Sequence, residues 1–142
     1  MLFNMTVKEF KMQIALGTLD YDTKATFAMN RRTSKGILAI LAFDSEVWIR
    51  EYVASNLNTP ITTFIILAQD VSVYVRRAVA KNPQTNPKVL DILSKDKDKH
   101  VRSWVTINLN TYIKTLSKLS KDKDSKVRKE ALSRLESWRN PL

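Results

Sequence analysis

Cysteine is missing from all 142 residues, so disulfides, thiolate metal sites and iron–sulfur ligation are excluded from this chain. Glycine occurs only twice, which leaves little material for hairpin turns or phosphate-cradling loops and weighs against all-β folds and Gly-rich nucleotide-binding motifs. Histidine occurs once, as His100 in the KDKDKHVR turn, where a helix start disfavours a positive imidazole. It reads as a solvated surface residue, and one histidine without a carboxylate pair on a common face gives no metal spacing. Long apolar runs are also missing. The most apolar internal stretch, Ile61 to Ala68, is too short to cross a bilayer and contains two threonines. The opening MLFNMTVKEFKMQIALG is interrupted by Lys8, Glu9 and Lys11 and reads as a helix rather than a secretory leader. These features fit a soluble, most simply cytoplasmic, protein. With so few nucleophiles and acid–base groups held by partners, no enzyme and no cofactor are expected.

What is present is a repeat. From Arg76, steps of 26 residues reach Arg50, Arg102 and Arg128, and from Asp70 they reach Asp44, Asp96 and Asp122. The same interval aligns Leu41, Leu67, Leu93 and Leu119, then Asn30, Asn56, Asn82 and Asn108, then Thr33, Thr59, Thr85 and Thr111. Five invariant columns point to stacked supersecondary units rather than a domain with one catalytic cleft. Hydrophobic residues make up 44% of the chain and aromatics only 8%, as in helical cores filled by Leu, Ile, Val and Ala. The expected organisation is a single helical-repeat domain over 1–142, with an N-terminal cap and degenerate half-repeat in 1–29, regular repeats in 30–125 and a C-terminal helix and tail in 126–142.

Each repeat divides into two short helices. Thr59 followed by Pro60 predicts a helix start with Thr as N-cap and Pro at the first helical position, and Thr33, Thr85 and Thr111 take the same role. Leu38, Phe64, Leu90 and Leu116 precede the leucine column by three residues, giving each first helix an apolar pair. Ser72, Asp98 and Asp124 stand as N-caps of the second helices, whose core pairs are Ile49/Val53, Val75/Val79, Val101/Val105 and Val127/Ala131. Asn tolerates left-handed backbone, so the Asn column reads as helix C-caps. Thr6 and Glu9 have capping-box spacing, which starts the first helix near Val7, and Gly17 ends it.

The consensus L-A-x-D-x-x-x-x-V-R-x-x-V-A-x-N-x-x-T, fullest in Leu67 to Thr85, resembles the leucine-rich repeat variant family, itself similar to short HEAT repeats. The resemblance covers about residues 30 to 132. It implies an all-α, right-handed superhelical solenoid of about four to five two-helix repeats. It also implies a ladder between neighbouring repeats built from Asp44/Arg50, Asp70/Arg76, Asp96/Arg102 and Asp122/Arg128. Physically, a guanidinium at the junction can bond one carboxylate and a helix-end carbonyl of its neighbour. Some relatives carry a cysteine-rich iron–sulfur segment, which this cysteine-free chain cannot supply.

The formal charge of +10 is uneven: residues 71–142 carry 17 basic and 7 acidic side chains, whereas residues 1–70 carry 7 of each. The ladder pairs cancel, so the excess stays on the surface. Two surfaces follow. In helical solenoids the second helices usually line the concave side, which here would present Trp48, Tyr52, Tyr74, Arg77, Lys81, His100 and Trp104, an aromatic-to-basic strip suited to an extended peptide or stacked bases. Tyr52 and Trp104 are alternatively half-buried between repeats. The turn lysines Lys95, Lys97, Lys99, Lys121, Lys123 and Lys126 form a basic edge, alternating with aspartates that neutralise part of it. The expected function is a non-enzymatic scaffold binding a protein or peptide through the concave face. The alternative is binding of DNA or RNA backbone by the basic half. Some HEAT-like proteins are DNA glycosylases, but no aromatic-plus-Asp constellation here matches an excision site. The state expected is monomer or weak self-association through an apolar end at Trp138 and Leu142.

Overall fold

Short helices alternate with tight polar turns from one end of the chain to the other. The structure is a computed structural model that describes residues 4–140, and within them the chain forms ten α-helices and no strand. They are α1 Val7–Leu16, α2 Tyr21–Met29, α3 Lys35–Leu41, α4 Val47–Ser55, α5 Ile61–Leu67, α6 Val73–Lys81, α7 Pro87–Leu93, α8 Lys99–Ile107, α9 Ile113–Leu119 and α10 Ser125–Arg139. The even-numbered helices stack side by side in chain order, and the odd-numbered ones from α3 onward form a second layer against them. Helix α2 sits one repeat interval before α4, so α1 and α2 make a full two-helix unit. Phe10 and Phe27 join the two, their rings edge-to-face at 5.1 Å.

The apolar columns are the core. Leu38, Phe64, Leu90 and Leu116, the leucine column after them, and the second-helix pairs are all buried. Each Val, Leu, Ile or Phe among them contributes roughly 1.5–3 kcal/mol on leaving water. At the first unit the capping box forms as expected, with the Thr6 N–H and the Glu9 N–H each bonded to the other residue's side chain. Gly17 closes α1 at φ +65°, the left-handed region a Cβ would disfavour. Gly36 serves differently: a Cβ there would lie 2.8 Å from Val7 Cγ2, so its absence lets α3 approach α1.

Two of the expected polar roles are corrected. Thr33, Thr59, Thr85 and Thr111 are not N-caps. Each is buried and donates its hydroxyl to the carbonyl six residues earlier, on Phe27, Val53, Val79 and Val105, at 2.5–2.6 Å. The N-cap positions are Ser34, Pro60, Asn86 and Tyr112, of which Ser34 and Asn86 cap with their side chains. The threonines instead close second-helix carbonyls that helix termination leaves open. The asparagines do stand at C-caps, but none is left-handed: Asn30, Asn56, Asn82 and Asn108 have φ between −76° and −65°.

Their side chains explain the column. The Asn82 amide donates to the carbonyls of Ala54 at 2.8 Å and Asn56 at 3.1 Å in the preceding repeat, while its oxygen accepts the Gln84 N–H at 2.8 Å. Asn56 makes the same bonds to Ala28, Asn30 and Asn58, and Asn108 to Ala80, Asn82 and Asn110. One repeat further the sequence has Arg134, and its guanidinium reaches the carbonyls of Thr106 at 3.3 Å and Ile107 at 2.9 Å. A longer side chain thus makes the bond from within α10, which runs on without the Asn break.

Candidate binding faces and the Asp–Arg ladder

Three surfaces concern function: the turns joining first to second helices, the exposed side of the second helices, and the basic edge. At the turns, arginine and aspartate pair across repeats. Arg50 holds Asp70, Arg76 holds Asp96 and Arg102 holds Asp122, each through Nε at 2.7 Å and Nη2 at 2.9–3.2 Å. Nη1 of each arginine donates to the backbone carbonyl of the aspartate of its own repeat, as in Arg76 to Asp70 at 2.9 Å. The carbonyl belongs to the arginine's own turn and the carboxylate to the next one. Lys24 takes the arginine's place at the first junction, 2.8 Å from Asp44. Arg128 keeps the carbonyl bonds, to Asp122 at 2.7 Å and Lys123 at 3.0 Å, but has no carboxylate within 4.0 Å among the described residues.

These bonds tune acidity. The Arg102 guanidinium holds the Asp122 carboxyl below its ordinary value against the opposing pull of burial. The Thr115 hydroxyl does the same for Asp91. For Asp98 burial pushes upward, and the Arg77 bonds with the Val101 N–H outweigh it. Carboxyls whose folded pKa lies below the unfolded value of about 3.9 stabilise the fold above that pH, and the contribution is lost as pH falls through the folded value. Thermal melts followed by circular dichroism should therefore hold a constant midpoint above about pH 5 and decline below about pH 4. Asp122→Asn should melt lower than wild type at neutral pH and converge with it in acid. A constant gap down to pH 2 would contradict this.

On the second helices, Trp48 and Tyr74 occupy equivalent positions one repeat apart, 50% and 55% exposed, with ring centroids 6.3 Å apart and planes tilted by 30°. The Arg77 guanidinium lies 5.9 Å from the Tyr74 ring centroid and is held by both Asp98 carboxylate oxygens at 3.1 Å. Lys81, one turn beyond Arg77, lies 5.1 Å from the centroid of Trp104. Tyr52 and Trp104 are half-buried and pack on the core. His100 and Lys126 are exposed. Lys81, Trp104, Ile107, Leu109 and Pro83 line a groove of about 260 Å³. Ser103, on the repeat position of Arg77, is buried and bonds Glu130 at 2.6 Å instead of facing the groove.

Glu51 was not legible as special. One turn from Trp48, its Oε2 is buried without a hydrogen-bond partner among the described residues. Its place off the core stripe put it on this face, and nothing in the sequence marked the unpaired oxygen.

At the edge, Lys95, Lys97, Lys99, Lys121, Lys123 and Lys126 are all exposed. The alternating aspartates do not pair with the lysines beside them in sequence. Asp96, Asp98 and Asp122 turn inward to Arg76, Arg77 and Arg102, and Asp124 lies 3.6 Å from Lys99. Lys126 lies 3.7 Å from Glu130, whereas Lys95, Lys97, Lys121 and Lys123 have no carboxylate within 4.0 Å among the described residues. At the C-terminal end, Trp138 is 55% exposed and joins Leu109, Tyr112 and Ile113 around a groove of about 590 Å³, while Leu142 lies outside the described residues. Among the described residues no group of three His, Cys, Asp or Glu side chains could hold a metal ion, and no helix is long and apolar enough to cross a membrane.

No family model matches the sequence, and no curated protein matches it. Among solved structures, the chain is similar to one described as a leucine-rich repeat variant with a novel repetitive protein structural motif. The TM-score is 0.71 and the identity 23%; the match covers 94% of this chain and 53% of that one, so the chain spans about half of that protein's length. The fold is that of a helical repeat solenoid of the leucine-rich repeat variant kind.

Proposed function

We propose that the protein is a non-enzymatic scaffold that binds an extended segment of another protein on the exposed side of its second helices. The observation carrying this reading is the Trp48–Tyr74 pair: two large aromatic side chains, half exposed and adjacent, on helices rigidly stacked by the core beneath them. Preorganised aromatics beside arginine are the usual anchors of protein recognition, because they bury much area at little entropic cost. Arg77 is fixed by Asp98 against Tyr74.

Selection of random displayed peptides on the immobilised protein tests this. Selected peptides should lose about tenfold or more in affinity for Trp48→Ala and for Tyr74→Ala. Equal binding to the double variant would remove the reading.

A second reading rests on a different observation, the four edge lysines without close carboxylates. Their charge is free to meet phosphates, as point charges with steep salt dependence. Fluorescence anisotropy with labelled single- and double-stranded DNA and RNA from about 50 to about 200 mM salt distinguishes the two. Binding that falls with salt, and falls further on reversing Lys97, Lys121 and Lys123, would favour this second reading. No binding at the lowest salt leaves the protein partner as the working function.

A further inference from the structure

We infer that the groove between the C-terminal ends of α6 and α8 binds an acidic segment of a partner protein, taking one aliphatic side chain between its apolar walls and an adjoining carboxylate on Lys81. The inference rests on the protein-binding reading of the second helices and adds the chemistry of what is bound. The groove lies within the stack, since α6 packs between α4 and α8, and α8 between α6 and α10. Trp104, Ile107, Leu109 and Pro83 supply its apolar surface, and Lys81 is the charged residue of its lining. At about 260 Å³ it falls below the range of roughly 300–1,000 Å³ usual for small-molecule sites, and it suits a side chain rather than a whole ligand.

Stacking does not require these side chains. Ile107 shares its repeat position with Met29, Ser55, Lys81 and Ser133, a position exposed in every repeat, so the isoleucine is surplus to the core. Trp104 shares its position with Thr26, Tyr52, Ala78 and Glu130, which shows that the stack leaves the residue type open there. The cations at the groove are equally unclaimed. Lys81 lies 5.1 Å from the Trp104 ring centroid and has no carboxylate within 4.0 Å among the described residues. From the next second helix, Arg134 bonds the Ile107 carbonyl at 2.9 Å and likewise has none. Both belong to residues 71–142, which carry the whole net charge of +10. The complement of such a groove is apolar at its centre and acidic beside it.

A nucleobase fits this groove less well than an aliphatic side chain. Lys81 covers the Trp104 ring and the indole otherwise packs on the core, which leaves little of it for stacking. The side-chain amides of Asn108 and Asn110 donate to carbonyls of the preceding repeat, so neither has an N–H left to read a base edge. A second copy of this chain brings the same positive excess, which opposes its docking. An aliphatic side chain between Trp104 and Ile107 removes apolar surface from water on both partners, and a carboxylate next to it meets the Lys81 ammonium at the rim.

The test uses the full chain and synthetic octapeptides of Gly and Ser that carry Asp-Leu-Asp, Asn-Leu-Asn, Asp-Ser-Asp or Lys-Leu-Lys at the centre. In a nuclear magnetic resonance titration, the Asp-Leu-Asp peptide should shift the Trp104 indole N–H and Ile107 methyl signals saturably. The Asn-Leu-Asn and Asp-Ser-Asp peptides should each bind about tenfold more weakly. Lys81→Glu, at an exposed position, should invert the order, so that Lys-Leu-Lys binds more tightly than Asp-Leu-Asp. Loss of fold cannot imitate that inversion. The proposal is overturned by no saturable shift at millimolar Asp-Leu-Asp peptide, by equal affinity for Asn-Leu-Asn or Asp-Ser-Asp, or by an unchanged order in the Lys81→Glu protein. Tighter binding of a uridine octanucleotide at Trp104 would also overturn it, in favour of nucleic acid. Failure here is separable from failure of the Trp48–Tyr74 anchor. Display-selected peptides that lose affinity for Trp48→Ala but leave the Trp104 signal in place would keep the protein-binding face and remove this groove from it. Selected peptides that shift Trp104 and bind Trp48→Ala undiminished would keep the groove and remove the aromatic anchor.

Discussion

Replacing Arg102 by alanine is expected to cost about 3–5 kcal/mol of stability, enough to unfold much of a marginal domain. Arg102 and Asp122 have side chains only 5% and 8% exposed, so the substitution leaves a carboxylate largely buried without its cation. It also strands the Asp96 and Lys97 carbonyls that Nη1 serves. The cost is that of breaking the pair, which is larger than the pair's net worth, because desolvation has already offset much of the attraction. Arg128→Ala is the internal control. It removes the same carbonyl bonds but uncovers no buried carboxylate, and about 1–2 kcal/mol is expected. Urea denaturation followed by circular dichroism gives both values. Equal losses for Arg102→Ala and Arg128→Ala would show that the carboxylate pairing contributes nothing and that only the carbonyl bonds count.

The second large effect is at Asn82. Its side chain satisfies two buried carbonyls of the preceding repeat and one N–H of its own turn, and it is 3% exposed. Asn82→Gly removes all three bonds, and at about 1 kcal/mol or more for each stranded group a loss of about 3 kcal/mol is expected. The choice of glycine is diagnostic. Were Asn82 present to adopt left-handed backbone, glycine would be neutral or stabilising there. With φ at −66° glycine gains nothing and adds chain entropy to the unfolded state. A Gly variant as stable as wild type in the same urea series would restore the capping role and discard the inter-repeat one. Asn56 and Asn108 should behave alike, since their bonds are the same.

These two residues show where sequence reading reached and where it stopped. The invariance of Asn82 and Arg102 across repeats was plain, and so was their place at helix ends and junctions. The partner of each was not. Asn82 looks like a local cap when only its neighbours in the chain are considered, yet two of its three bonds go 26 and 28 residues back. The threonine column misled for the same reason. Thr beside Pro is a familiar helix start, but each hydroxyl serves the carbonyl six residues earlier, and only the reversal of the chain between helices brings the two together. Likewise the KDKD runs suggest neutralisation between sequence neighbours, whereas Asp96, Asp98 and Asp122 are drawn inward by arginines of the preceding repeat, and Asp124 meets Lys99 of the preceding repeat.

On the candidate face, the exposure of Trp48 and Tyr74 followed from their places off the core stripe. Their mutual approach did not, because it depends on how closely α4 and α6 stack. The sequence by itself determined the helical class, the repeat length, the core columns and the sites of the polar joints. All of these rest on periodicity, which records the 3.6-residue turn and the stacking interval directly. Only the tertiary structure decided which polar group meets which. A hydrogen bond between repeats depends on the offset of one helix against the next, and that offset comes from side-chain packing across the whole stack. That the Arg128 fork meets no carboxylate among the described residues, and that Leu132 is exposed, could be recognised only by comparison with the filled positions of the repeats before them.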